Sequence, residues 1–188
     1  MKRMMTFVGL GVLSLLLGLG QTAVAQEKTR AGHTDQSFVY MASSGGLAEV
    51  QLGQLATERA ASPEVKQFGQ RMVTDHTKAN QELAEIAQKK HMPVATDLDP
   101  KHRTMADKLA KLQGAAFDRE YLMGQVADHE QTVALFKTQI KEGKDADLKT
   151  FASETLPTLE GHLKTVRALV ARQPGEHAQK QHSEGKRK

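Results

Sequence analysis

The sequence contains no cysteine, and this single absence excludes several features at once. The chain can form no disulfide bond, has no thiol nucleophile, and offers no N-terminal cysteine for a lipid anchor. Its fold must therefore be held together by a hydrophobic core. A chain of 188 residues is long enough to bury such a core, and its length favours one domain.

Aromatic residues and proline are scarce, at 4% of the chain and five residues respectively, and runs of β-branched residues are missing. This composition argues against strands and favours an all-α chain. The motifs of nucleotide and hydrolase chemistry are absent as well, since there is no glycine-rich phosphate loop and no Gly-x-Ser-x-Gly. We therefore expect no organic cofactor.

Residues 1–25 form an apolar segment at the start of the chain. They combine a basic start, Lys2 and Arg3, with the stretch FVGLGVLSLLLGLG and small residues that end at Ala25. This pattern predicts a secretory signal peptide, because the stretch is too short and too interrupted by glycine for a good membrane span. We expect a periplasmic mature chain of 163 residues (188 − 25) without a transmembrane segment, with association to the outer membrane left open. Residues 26–34 are predicted to be a flexible linker.

The charge distribution argues against a nucleic-acid partner. The formal charge of +4 becomes +2 without Lys2 and Arg3, and the segment from Arg172 onward carries five basic and two acidic residues, or +3. The body is then close to −1 (2 − 3), which is not a nucleic-acid-binding surface. The tail at residues 173–188 is predicted to be disordered and basic. Two roles stay open for it: a solvated chain end, the commoner case, and peripheral contact with anionic surfaces.

Helix signals recur along the rest of the chain and predict a helical domain over residues 35–172. Apolar spacing, caps and breaks predict helices over about residues 34–61, 63–90, 100–112, 115–142 and 145–172. Gly114 ends the short third helix, and Pro157 is expected to kink the last helix without ending it. Four long helices joined by short turns predict an antiparallel up-down four-helix bundle, with the short helix as an extra element in the second crossover.

Three of the eight histidines stand in the apolar stripes of these predicted helices. In the second, fourth and fifth helices, one stripe position holds a histidine instead of an apolar residue: His76, His129 and His162. Each lies near the midpoint of its helix, and the midpoints of equal antiparallel helices share one layer. The polar residue nearest the middle of the first helix is Glu49. The sequence therefore predicts a central layer of three imidazoles and one carboxylate.

Buried polar side chains need partners, because an unpaired one costs roughly 1–3 kcal/mol. Two explanations of the layer are open, a neutral hydrogen-bonded network and a single bound transition-metal ion, for which Zn, Cu, Ni and Fe all suit the ligand set. The candidate ligands are Glu49, His76, His129 and His162. Asp75 and Asp128, which precede two of the histidines, also have two interpretations: partners of a neighbouring imidazole, or surface acids. We prefer the second for both.

Three segments resemble the family known as domain of unknown function 4142. They read LAEVQLGQLATERAASPEVKQFGQRMVTDHTKANQEL, GAAFDREYLMGQVADHEQTVALF and LKTFASETLPTLEGHLK, and the resemblance covers about residues 37–169. It implies an exported bacterial protein, often labelled an outer membrane protein, with a ferritin-like helical bundle. It also implies that the four candidate ligands are the family's hallmark polar positions. It implies no reaction, because the family has none assigned.

The motif of di-iron ferritin-like proteins is missing here. Those proteins use Glu-x-x-His pairs, whereas the residues three positions before the histidines are Val73, Val126 and Leu159. A redox enzyme is therefore the least favoured of three hypotheses, and we lean against enzymatic activity. The first hypothesis is a metal-binding protein in metal homeostasis or envelope stress. The second is a non-catalytic interaction or structural protein of the cell envelope with a hydrogen-bonded polar core, whose partner the sequence does not indicate.

Overall fold

The computed structural model describes residues 34–173, in which all regular segments are helices. They are α1 (Asp35–Arg59), α2 (Pro63–Lys89), α3 (Pro100–Leu109), α4 (Gly114–Glu142) and α5 (Ala146–Arg172). The predicted all-α fold is confirmed, and the largest difference in boundary is the end of α3, which was expected near residue 112. The predicted signal peptide lies outside the described residues, as do all of the linker except Thr34 and all of the tail except Gln173.

Local sequence explains where the helices begin. Thr34 and Ser37 form two reciprocal hydrogen bonds at the start of α1. The backbone N–H of each residue donates to the side-chain hydroxyl of the other at 3.0 Å. Side chains also cap three further helices: Ser62 caps α2, Asp99 caps α3 and Asp145 caps α5. α4 begins at Gly114, whose φ of +64° is a conformation that glycine adopts without strain. As predicted, α5 continues through Pro157.

Contacts between helix ends define the order around the bundle. Asp35, the first residue of α1, accepts a hydrogen bond at 3.0 Å from the backbone of Asp145, which follows α4. Beyond the other end of α1, the backbone N–H groups of Ala61 and Ser62 donate to Asp118, near the start of α4, at 3.0 and 2.9 Å. α1 and α4 are therefore antiparallel neighbours. Short turns make α1–α2 and α4–α5 antiparallel pairs as well, and α2 packs on α5.

The connection from α2 to α4 runs along the bundle, because both helices point the same way. It carries α3, which packs against α1 and α4, so the extra helix lies in the crossover as predicted. The chain order is thus up, down, down, up, with one long crossover, as in ferritin-like folds. The expected up-down order is wrong, because the connection that carries α3 spans the bundle from end to end. Within residues 34–173, none of the helices combines the length and the apolar character that a membrane span requires.

Apolar clusters occupy both sides of the bundle's middle. On one side, three phenylalanine rings pack edge to face or tilted with centroids 5.1–6.4 Å apart: Phe38, Phe136 and Phe151. On the other side, three rings lie 5.6–6.3 Å from their neighbours: Phe68, Phe117 and Tyr121. These six side chains are at most 4% exposed. Polar groups in the layer between them are consequently removed from water on both sides.

Candidate metal centre

The three histidines predicted for the central layer lie together in the structure. His76 on α2, His129 on α4 and His162 on α5 are 7%, 1% and 0% exposed. One ring nitrogen of each lies within 4.8 Å of a ring nitrogen of both others. The ring centroids are 5.4–5.8 Å apart. Three helices thus place their midpoint histidines in one buried group, called the triad below.

Hydrogen bonds on the outer side of two rings determine which nitrogens face inward. His129 Nδ1 lies 3.0 Å from the carbonyl oxygen of Gln125, one turn earlier on α4, and donates to it. His162 Nε2 lies 2.8 Å from Asp75 Oδ2 and donates to that carboxylate. In neutral rings the other nitrogens, His129 Nε2 and His162 Nδ1, therefore carry lone pairs. These two nitrogens face each other at 3.4 Å.

Two facing lone pairs need a proton or another cation between them, and a proton is disfavoured. Burial lowers the pKa of His129 to about 4, and it lowers the pKa of His162 to about 4 against the opposing effect of Asp75. Burial also depresses the pKa of His76, with further contributions from the other two histidines. His76 Nε2 is buried and has no hydrogen-bond partner within residues 34–173. The triad therefore offers three imidazole nitrogens as donor atoms for a metal ion.

Asp75 is not the surface acid that we preferred, and that prediction is wrong. Its Oδ2 accepts from His162 across the α2–α5 contact and also lies 3.2 Å from Arg71 Nε on the solvent side. Asp75 is one residue, or about 100° of helix rotation, from His76, so it points towards the neighbouring helix instead of the bundle centre. A carboxylate behind an imidazole fixes the orientation of the ring and the position of its proton, as it does for histidines that bind metals.

Glu49 reaches the layer from α1 but meets His129 on its outer side. Its Oε1 is 3.5 Å from His129 Nδ1, the nitrogen that bonds to Gln125, and its Oε2 accepts from Gln125 Nε2 at 2.6 Å. Burial raises the pKa of Glu49 to about 8, against the effect of the Gln125 hydrogen bond. Among the described residues, only the three histidines form a group of three or more ligand side chains at ligand distances. The role of Glu49 as a fourth ligand stays a prediction.

A cavity of about 30 Å³ adjoins the triad. Its walls include His76, His162, Glu49, Gly45 and Gly46. A buried water needs roughly 10–15 Å³ of such space, so the cavity can hold one or two small molecules. The triad therefore has room beside it for a fourth ligand.

A second polar cluster lies beside the layer, between α1, α3 and α4. Asp128 is 5% exposed, so its prediction as a surface acid is also wrong. Its Oδ1 accepts from Lys101 Nζ at 2.5 Å, and its Oδ2 lies 3.6 Å from His102 Nε2. Our sequence reasoning missed His102, because it set aside the histidines outside the apolar stripes, which fall in predicted helix ends, turns or the tail. The available signal was the spacing of three between Asp99, the cap of α3, and His102.

One family profile matches most of the chain. It is that of DUF4142, a domain of unknown function, and it matches residues 20–169. The chain belongs to the DUF4142 family. The resemblance in the sequence is thereby confirmed. Among curated proteins, none matches this DUF4142 chain.

Solved structures with a similar fold include two forms of CopM and a DUF305 fragment. CopM in its Cu(II)-bound form is 20% identical with a TM-score of 0.63, and the alignment covers 74% of this chain and 97% of CopM. CopM in an Ag-bound form is 20% identical with a TM-score of 0.63, covering 77% of this chain and 100% of CopM. The DUF305 fragment from Deinococcus radiodurans is 14% identical with a TM-score of 0.65, covering 73% and 95%. At these identities the likeness shows a shared helical bundle.

Proposed function

We propose that this protein binds a single copper ion through His76, His129 and His162. The observation that carries the proposal is the pair of facing nitrogens, His129 Nε2 and His162 Nδ1, which lie 3.4 Å apart without a proton to share. Two ligand atoms about 2.0–2.1 Å from an ion have this separation when the angle at the ion is roughly 110°. Such an angle suits trigonal or tetrahedral coordination better than octahedral or square-planar coordination.

The choice of copper rests on ligand chemistry and on the structural neighbours. Imidazole nitrogens bind Zn, Cu, Ni and Fe. The triad is neutral, and the raised pKa of Glu49, about 8, keeps that carboxyl protonated at neutral pH. Burying a singly charged ion among three neutral ligands costs less than burying a doubly charged one, so we favour Cu(I). CopM, which shares the fold, has been solved with copper and with silver bound.

The alternative of a structural or interaction protein requires a polar layer whose groups are paired with one another. Three buried atoms near the centre have no hydrogen-bond partner in the described part of the chain: His76 Nε2, the Tyr121 hydroxyl and Gln125 Oε1. A layer that served only to fix helix register would be expected to satisfy such groups. The unpaired atoms therefore favour a bound ion over a purely structural network.

The biological setting of the site follows from the start of the sequence. The signal-peptide pattern of residues 1–25 supports export, so the ion would be met in the periplasm. A copper-binding bundle there would act in metal homeostasis or in the response to envelope stress. We propose no reaction, because the Glu-x-x-His pairs of di-iron enzymes are missing. A partner in the envelope and a contact of the basic tail with anionic surfaces remain predictions.

Elemental analysis of untagged protein expressed from its full sequence tests the proposal. Separate samples of the protein are incubated with copper under reducing conditions, with zinc, with nickel or with iron. Each sample is then desalted. We expect one copper ion per chain in the wild type and none in His129→Gln or His162→Gln. The matched control is His91→Asn, which removes an exposed histidine after α2 at a positive φ that asparagine tolerates.

Circular dichroism establishes that each variant is still helical before its metal content is compared. No bound metal of any kind in the wild type would sink the proposal. Copper retained by both triad variants would do the same, because the ion would then lie elsewhere. One zinc ion in place of copper, lost in the same variants, would keep the site and correct its metal.

A further inference from the structure

We propose a second cation site, formed by His102 Nε2 and Asp128 Oδ2 and suited to a divalent transition ion such as Zn²⁺. It uses residues outside the triad and does not depend on copper binding there. The two side chains face a cavity of about 260 Å³ between α1, α3 and α4. Tyr40 and Met41, 52% and 46% exposed, line the same cavity, so it is reached from solvent.

Asp99 fixes the orientation of His102. Its Oδ1 accepts from the backbone N–H of His102 at 3.0 Å as the cap of α3, and its Oδ2 lies 2.6 Å from His102 Nδ1. The hydroxyl of Ser44 on α1 also donates to Asp99 Oδ2, at 3.1 Å. His102 Nδ1 therefore holds its proton against Asp99, and Nε2 faces Asp128. A carboxylate bonded to the outer nitrogen of an imidazole is the usual support of a histidine that binds a metal.

Asp128 supplies an oxygen without a hydrogen-bond donor opposite that nitrogen. The residue is 5% exposed, and its Oδ1 accepts from Lys101. Its Oδ2 has no hydrogen-bond donor within the part of the chain that the structure describes. The distance of 3.6 Å from Oδ2 to His102 Nε2 is too long for a hydrogen bond. It is the right separation for two ligands about 2.0–2.2 Å from one ion, at an angle of roughly 120°.

The local charge favours a divalent ion at this position. Asp99 and Asp128 bring two negative charges and Lys101 brings one positive charge, so a neutral His102 leaves the cluster with a net negative charge. The carboxylates of Asp99 and Asp128 lie against opposite nitrogens of the His102 ring, and their negative field attracts a metal cation. One imidazole nitrogen, one carboxylate oxygen and space for water suit an ion of borderline softness. The two sites thus differ in the ion they prefer.

The second site adjoins the triad. Gly45, Glu49 and Thr132 line both its cavity and the cavity of about 30 Å³ beside the triad. The two groups of ligands are nevertheless separate, since neither His102 nor Asp128 belongs to the triad's group of ring nitrogens. Binding at one site can therefore be measured independently of the other.

Nuclear magnetic resonance of histidine ring nitrogens, with Zn²⁺ alone as the probe, tests this site in the untagged wild-type protein. The His102 signals are assigned with His102→Gln. We expect the Nε2 resonance of His102 to shift and saturate as Zn²⁺ is added, while Nδ1 stays protonated. Asp128→Asn is expected to weaken Zn²⁺ binding at His102 at least tenfold. His91→Asn, the matched exposed histidine, is expected to leave it unchanged.

Two results would overturn the site. One is a His102 signal in the wild type that does not move at millimolar Zn²⁺, an outcome that needs no variant to fold. The other is an equal shift in the wild type and in folded Asp128→Asn. The signals of the triad histidines are read in the same spectra, so Zn²⁺ that binds at the triad is distinguished from Zn²⁺ that binds at His102. Copper binding at the triad is tested separately by the elemental analysis above.

Discussion

His129 Nε2 and His162 Nδ1 face each other at 3.4 Å, and each ring donates its proton to an oxygen on its opposite side. The two acceptors differ in kind. For His129 it is a backbone carbonyl of α4 itself, which no substitution removes. For His162 it is Asp75, a side chain that α2 contributes to a histidine of α5. Substitution of Asp75 therefore tests how much the orientation of the triad depends on helix packing.

Asp75→Asn keeps an acceptor oxygen beside His162 but removes the charge. We expect affinity for Cu(I) to fall by about 10–100-fold, because a carboxylate behind a metal-binding imidazole both orients the ring and raises its basicity. The measurement is competition with a chromophoric Cu(I) chelator under reducing conditions. Arg71→Gln is the matched control, since it removes the other partner of Asp75 without contacting His162. Equal affinities in Asp75→Asn and wild type would contradict the role of Asp75.

Metal-free protein should lose stability as the pH falls from about 6.5 to about 4. The folded-state pKa values of His129 and His162 are about 4, whereas the unfolded values lie near 6.5. In that window the unfolded chain binds protons that the folded chain does not, so the free energy of unfolding decreases with falling pH. Each of the two histidines contributes up to about 1.4 kcal/mol per pH unit.

Urea unfolding in the presence of a chelator, at several pH values in this window, measures how steeply the free energy of unfolding changes with pH. His129→Gln removes one of the two groups whose pKa is lowered by burial. The free energy of unfolding should therefore change less with pH in this variant than in the wild type. A slope that does not change when both His129 and His162 are replaced by glutamine would mean that these rings do not titrate as buried neutral groups.

Helical periodicity was sufficient to predict that the three histidines lie together, because the start of each helix and its apolar stripe can be recognised in the sequence. α2 begins at a cap followed by proline, and α4 begins at a glycine, so the midpoints of these helices can be located from sequence alone. His76 and His129 stand on the apolar stripes at those midpoints, where burial fixes the direction of the side chain. Asp75 lies off its stripe. Whether such a residue meets solvent or a neighbouring helix depends on the packing of α2 against α5, which no local pattern contains.

The cluster around His102 was beyond sequence reasoning for a different reason. α3 is a short, largely exposed helix with one buried residue, so it has no stripe from which its orientation can be read. Ser44 and Asp99 are 55 positions apart and meet only because the crossover runs beside α1. The path of that crossover is set by the whole bundle. A histidine on it has no predictable neighbours until the bundle is assembled.

Glu49→Gln should stabilise the metal-free protein by an amount that grows with pH. Burial raises the folded-state pKa of Glu49 from 4.5 to about 8. Between these values the unfolded chain releases a proton that the folded chain keeps, so the wild type loses stability as the pH rises. Glutamine has no such proton. The free energy of unfolding of Glu49→Gln minus that of the wild type should therefore increase by up to about 1.4 kcal/mol per pH unit.

Unfolding of both proteins at pH 5, 6.5 and 8 measures this difference. Glu160→Gln provides the control, because Glu160 has a side chain that is 47% exposed and pairs with Lys137 at the surface. The pH dependence of the Glu49→Gln difference is compared with that of this surface variant. If the Glu49→Gln difference were constant, Glu49 would be ionised in the folded protein and would remain a candidate charged ligand.

Two glycines of α1 should respond in opposite ways to alanine. A Cβ at Gly53 would lie 2.7 Å from the carbonyl oxygen of Gly69 on α2, whereas a Cβ at Gly45 would have no atom within 4 Å. We expect Gly53→Ala to destabilise the protein by about 1–3 kcal/mol through overpacking, and Gly45→Ala to stabilise it by up to about 1 kcal/mol through helix propensity. Thermal unfolding of the two variants compares them directly. Because α2 carries His76, copper affinity should also fall in Gly53→Ala. Two equally stable variants would mean that the close approach of α1 and α2 is not what holds His76 in the triad.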